Sequence, residues 1–336
     1  MKKILGVAMV LMAVAAPPML AVGRGQRTVA ILIFPGVQII DYTGPYEVLG
    51  HASVNGQRAF QIYTVSENTE PITTAMGMTV VPAFTFDRAP RADVLVVPGG
   101  GVDPHLENPS YIRWLRSSAR DAEVVLSVCN GAFFLAKAGL LDGLEATTFA
   151  GLIEELKTAA PKTKVVSDRR FVDNGKIVTA AGLSSGIDGA LHVIEKLYGR
   201  GAAQVAAIGL EYDWRPDSGW ARASLADRHL RPAFEVLSEY PRTVLSHAGS
   251  RERWETSWRI QTDSPPRAVL EKLDRALSAG KGWARQDRRD APGSVESRWH
   301  FRDGDGSGWT EATRVEEIKG EKGCRVTVTV SRAGTG

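Results

Sequence analysis

Five short apolar runs restrict the fold of this 336-residue chain more than any other feature. They are TVAILIF (28–34), FQIYTV (60–65), DVLVVP (93–98), VVLSVC (124–129) and KIVTAA (176–181). A strand that is apolar on both faces must be covered on both faces, so these runs predict parallel strands sandwiched between helices. Between them, GPYEVLGHAS, SYIRWLRSSARD, NGAFFLAKAGLL, GLIEELKTA and SGIDGALHVIEKLY carry apolar residues at three-to-four spacing, the period of a helix packed along one side. The alternation predicts an α/β fold with a doubly wound, mostly parallel sheet. After Glu211 the pattern changes: a helical stretch over 222–237, a charged linker at 246–253, then strand (WETSWRIQ), helix (PRAVLEKLDRALSAG) and strands near 295–301, 310–318 and 324–331. The expected division is an α/β domain over 28–248 and a small α+β domain over 249–336. A hydrophobic content of 43% suffices for two cores.

The first 23 residues combine Lys2 and Lys3, an apolar run from Ile4 to Ala16, and Pro17 and Pro18, the outline of a secretory signal peptide. Cleavage is expected near Gly23, with an earlier site at Ala13 and Ala15. The chain is therefore expected to be exported, periplasmic or secreted, with no membrane association beyond that segment. The formal charge of +3 falls to +1 once the two lysines leave, too balanced for nucleic-acid binding. With only Cys129 and Cys324, export brings no disulfide framework.

In doubly wound sheets, ligands bind beyond the carboxyl ends of the strands. Those positions hold Asp41, Gly99 to Gly101, Cys129 and Gly182 to Ser185. At Cys129 an apolar strand ends, and Gly131 follows where the first helical turn passes close to the sheet. This pattern predicts a nucleophile elbow with sulfur in place of the hydroxyl. A helix N-terminus favours an anion, so Cys129 is expected to be partly thiolate at neutral pH. A carboxyl group beside it would tend to keep its proton, which suits Asp41 as a general acid; capping the helix from Gly44 is its structural alternative.

The segment SVCNGAFFLAKAGLLDGLEATT resembles the nucleophile region of the ThiJ/PfpI superfamily, and within it the isonitrile hydratases and the sensor domains of AraC-type regulators. QIIDYTGPYEVL, LVVPGGG, and AAGLSSGIDGALHVIEKLYG with IGLEYDW agree in order over residues 28–214. The resemblance implies Cys129 and Asp41 as catalytic residues and backbone N–H groups of Gly100 and Asn130 as donors to charge developing on the substrate. It places Gly99, Phe149 and Ser184 in the substrate pocket, and Asn130 as a holder of the attacking water. It further implies a small-molecule substrate, no cofactor, and a homodimer. Asn130 stands where those hydratases usually carry threonine, and Phe149 where they carry histidine. A histidine-based triad is not expected, although His51, His105 and His192 remain candidates to approach Cys129 in space. The expected function is isonitrile-hydratase-like addition of water. The alternatives are a non-catalytic exported ligand sensor, or a thiol oxidation sensor or chaperone.

Two weaker signals remain. Asp303 to Gly308 begins like a calcium loop but has Arg314 at the twelfth position, so it is read as a β-turn and no metal is expected. Trp254, Trp258, Trp283, Trp299 and Trp309 are read as core.

Overall fold

A computed structural model describes residues 26–334; the signal-peptide segment lies outside the described residues. The first body is built on β1 (Arg27–Leu32), β2 (Phe60–Ser66), β3 (Phe84–Thr85), β4 (Val94–Val97), β5 (Val124–Val128), β6 (Phe171–Asp173) and β7 (Ile177–Ala180). Their order is β6-β7-β5-β4-β1-β2-β3, parallel throughout except where β6 runs antiparallel to β7. All five predicted apolar runs are strands of this sheet. β4, β5 and β7 are buried along their whole lengths, which is why they read as unbroken apolar runs.

The strand order reverses at β1. The chain steps to β2 on one side and returns to β4 on the other, which opens a crevice at the carboxyl ends of β1, β4 and β5. Helix α1 (Ile39–His51) follows β1, α2 (Pro109–Asp121) precedes β5, and α3 (Ala132–Lys137) follows it. After α4 (Ile153–Ala159), α5 (Ser185–Tyr198) packs on α1 and on α6 (Arg200–Gly209). The closing EYDW segment is tied down by the Tyr212 hydroxyl, which donates to Asp188 of α5 at 3.0 Å, and Arg170 pairs with the same carboxylate.

The second body is a six-stranded antiparallel sheet: β8 (Arg242–Gly249), β9 (Arg253–Ile260), β10 (Ala284–Ala291), β11 (Ser294–Arg302), β12 (Gly308–Glu317) and β13 (Cys324–Arg332), in the order β8-β9-β13-β12-β11-β10. Helix α8 (Pro266–Ser278) covers one face through contacts with β11 and β12, and α7 (Arg231–Leu237) packs on α8. Trp254, Trp258 and Trp309 lie in that core, as expected of them. The first core ends at Trp214 and the second gathers residues from Leu225 onward. The change of body therefore falls earlier than residue 249, and residues 246–253 are no linker: they are the paired end of β8, a turn at 250–252 and the first residue of β9. The Asp303 to Gly308 segment is the turn between β11 and β12, where Asp303 pairs with Arg228.

Candidate active site

The elbow at Cys129 is built by the meeting of β5 with a tight helical turn. Val128 is extended, Cys129 has φ +59°, and the turn Cys129–Gly131 runs directly into α3. A non-glycine residue in this left-handed region is strained by about 1–3 kcal/mol and is held there by its surroundings. The Cys129 N–H donates to the Ala181 carbonyl (3.1 Å), and its own carbonyl accepts from the buried Thr148 hydroxyl (2.8 Å). Gly131 is required by space: a Cβ there would sit 2.1 Å from the Val97 carbonyl oxygen. The turn thus crosses the end of β4 in contact with backbone.

Asp41 lies in the first turn of α1, which begins at Ile39, so it does not cap a helix from Gly44. It is fully buried. Its carboxylate accepts from Gly99 N–H (3.3 Å) and Leu183 N–H (3.2 Å) and faces the Cys129 thiol at hydrogen-bonding range. Burial pushes the Asp41 carboxyl up to about 6, and these three donors oppose the rise. The thiol moves the other way from expectation. Burial first, then the negative charge of Asp41, push it far above the ordinary thiol range, and the Asn130 N–H pulls only weakly in return. A free thiolate at neutral pH is therefore not the resting state; the ionised Asp41 carboxylate and burial together keep the proton on sulfur, next to a group able to take it.

Gly100 also departs from its expected role. Its N–H donates to Asn130 Oδ1 at 2.7 Å, and its carbonyl accepts from Asn130 Nδ2 at 2.8 Å. The Gly100 N–H is thus taken, and the Asn130 amide is engaged with backbone instead of with a water. Gly99 sits between the two functional groups, since a Cβ on it would meet Asn130 Oδ1 at 2.1 Å and Asp41 Oδ2 at 3.0 Å.

Phe149 packs across Gly182, where an added Cβ would lie 2.4 Å from its ring. Phe149 and Leu183 are 38% and 39% exposed, whereas Cys129 is 8% exposed, so little of the nucleophile's surface is open to a substrate. Ser184 is exposed, and its side chain does not cap α5. Leu183 lies in the Gly182 to Ser185 stretch expected at a strand end, but the sequence assigns it no role. Its N–H on Asp41 and its φ of +58° put it in the site, and the available signal is its position just after the KIVTAA run. The three candidate histidines are held elsewhere: His51 at the Glu47 carbonyl (2.9 Å), His105 at the Pro35 carbonyl (3.0 Å) and His192 at Asp173 (2.8 Å). Cys129 and Cys324 are both unbridged. Among the described residues, no cluster of three or more His, Cys, Asp or Glu side chains is arranged to hold a metal ion.

The DJ-1/PfpI family model matches residues 27–196, half of the chain. The chain belongs to the DJ-1/PfpI family. An isonitrile hydratase from Pseudomonas putida is 39% identical over 197 residues, covering 57% of this chain and 82% of that one. The HTH-type transcriptional regulator CdhR from Pseudomonas aeruginosa is 26% identical over 249 residues, covering 70% of this chain and 74% of that one. Among solved structures, a ThiJ/PfpI family protein from Pseudomonas syringae superposes with a TM-score of 0.55 and 28% identity, over 68% of this chain and 93% of that one. The family therefore joins catalysts and regulators on one fold, and the chemistry has to be argued from the site.

Proposed function

We propose that this protein adds water to a small isonitrile, with Cys129 as nucleophile and Asp41 as the group that moves the proton. The observation that carries the proposal is geometric: the Cys129 thiol is buried on its elbow against the Asp41 carboxylate, which Gly99 N–H and Leu183 N–H hold in place. Asp41 takes the proton from sulfur as sulfur bonds to the terminal isonitrile carbon, and delivers it to that same carbon. The S–H bond breaks, C–S and C–H bonds form, and a thioimidate results. Water then adds to the thioimidate carbon with proton transfer to nitrogen. The C–S bond breaks, releasing an N-substituted formamide and restoring the thiol.

The engagement of the Gly100 N–H favours this chemistry over acyl transfer. Ester and amide cleavage build charge on a carbonyl oxygen and need preorganised donors for it. Addition of S–H across an isonitrile carbon builds no such oxyanion. The 39% identity to the P. putida isonitrile hydratase supports the same choice. Incubation with an alkyl isonitrile should release the formamide, followed by chromatography. Undiminished release by Cys129→Ala would sink the proposal.

A further inference from the structure

Asn130 is the second link between the strand ends that make the site. Its amide closes a two-bond ring with both polar groups of Gly100, at 2.7 and 2.8 Å. One side chain thereby joins the elbow after β5 to the glycine turn after β4. The Gly99–Gly100 peptide group is thereby held from both edges, because its N–H goes to Asn130 and its Gly99 carbonyl accepts from Gln38 N–H at 2.8 Å. Gln38 is the residue that opens α1, the helix that carries Asp41. A continuous chain of hydrogen bonds runs from the Asn130 amide through Gly100 and Gly99 to the helix bearing the acid. Gly99 also donates its N–H to Asp41 at 3.3 Å, so the set of the glycine turn decides how well the carboxylate is held.

We propose that Asn130 is a positioning residue: its amide locks the glycine turn, which aims the Gly99 N–H at Asp41 and removes Gly100 as a donor to substrate. This rests on the thiol–carboxylate reading of the site. Two consequences follow. A loosened turn weakens one donor to the ionised acid, so the proton on Asp41 is held more tightly. A freed Gly100 N–H becomes available to a developing oxyanion, so the site gains capacity for ester cleavage.

The test compares the full chain with Asn130→Ala and Asn130→Asp. Asn130→Asp is nearly isosteric and, when ionised, keeps the acceptor that occupies the Gly100 N–H. Three readouts are taken: the pH profile of Cys129 alkylation by iodoacetamide, hydrolysis of p-nitrophenyl acetate, and kcat and KM for an alkyl isonitrile. In Asn130→Ala the acid limb of alkylation should move up by on the order of one pH unit. Ester cleavage should rise several-fold over a Cys129→Ala background. The isonitrile kcat should fall on the order of 10- to 100-fold with KM little changed, as expected of displaced reacting groups. Asn130→Asp should also raise the limb, through added negative charge, while leaving ester cleavage at the wild-type level. Folded variants whose acid limb and ester rate both match wild type would overturn the proposal. Should Asn130→Ala fail to fold, Asn130→Leu, which fills similar space without either hydrogen bond, is read in its place, and an unmoved limb with an unchanged ester rate there overturns it as well. Alkylation does not depend on the substrate: a shifted limb with no formamide from wild type would end the hydratase reading and leave the positioning role standing.

Discussion

Among the described residues, Asp41 in the first body and Glu311 in the second are carboxyl groups with no exposed surface, and the two behave differently because of what surrounds them. Asp41 has two backbone N–H groups and a thiol to hold its charge, and burial raises it only to about 6. Glu311 has a single hydroxyl donor, Thr313 at 3.1 Å, and its other oxygen has no hydrogen-bond partner. Burial, with the nearby charge of Asp274, pushes Glu311 up to about 8. At pH 7 the first group is mostly ionised beside a nucleophile and the second keeps its proton in a core. Burial alone does not mark a catalytic acid; the donors and the neighbouring sulfur do.

The two carboxyl groups part most visibly in activity. Cys129→Ala should abolish formamide release. Asp41→Asn should lower kcat/KM on the order of 10²- to 10⁴-fold, the usual worth of general acid–base catalysis. Glu311→Gln should leave turnover within about 2-fold, since surface or core changes away from the reacting groups do not touch the transition state. A large loss in Glu311→Gln would erase the distinction drawn between the two bodies.

Stability separates them further. Both groups have raised values in the folded state, so each contributes most below its unfolded value, near 4.5 for Glu311 and 3.8 for Asp41. The contribution is lost as pH rises through about 8 and about 6 respectively. Each tenfold change in proton affinity on folding is worth about 1.4 kcal/mol, so denaturant melts at pH 9 should show Glu311→Gln more stable than wild type by roughly a few kcal/mol. The gain should vanish near pH 4. Asp41→Asn should gain less, because Asp41 is raised less far and the amide pairs poorly with two N–H donors. Equal melts at pH 9 would argue that Glu311 is not a protonated core acid.

What could be seen in sequence follows the same physical line. Strands buried on both faces have no alternative to apolar residues, so β4, β5, β7 and most of β1 were legible, and β2, with Gln61 exposed, was legible from its aromatic and β-branched residues. The edge strands of the second sheet were not. β8 is exposed along its length, and β10 reads ARQDRRDA, because an edge needs no apolar face and charge protects it from pairing. At the site, Cys129, Asp41 and the glycine turn stood at strand ends, where a parallel sheet puts chemistry. The Asn130–Gly100 ring and the Leu183 N–H could not be seen, since both depend on how three strand ends align in space. The thiol's expected ionisation fails for a related reason. A helix N-terminus is local and visible in sequence, whereas burial and the charge of Asp41, 88 positions away, are properties of the fold.

All the chemistry proposed for the site depends on the Cys129 thiol facing an ionised Asp41 carboxylate at neutral pH. The rate of Cys129 alkylation from pH 5 to 11, in wild type and in Asp41→Asn, decides whether it does. Wild type should rise through about 6 as Asp41 ionises and climb again without a plateau by pH 10. Asp41→Asn should lose the limb near 6 and level off at lower pH, its thiol freed from the neighbouring charge. Identical profiles in the two proteins, with a single limb near the ordinary thiol value of about 8.5, would refute that pairing.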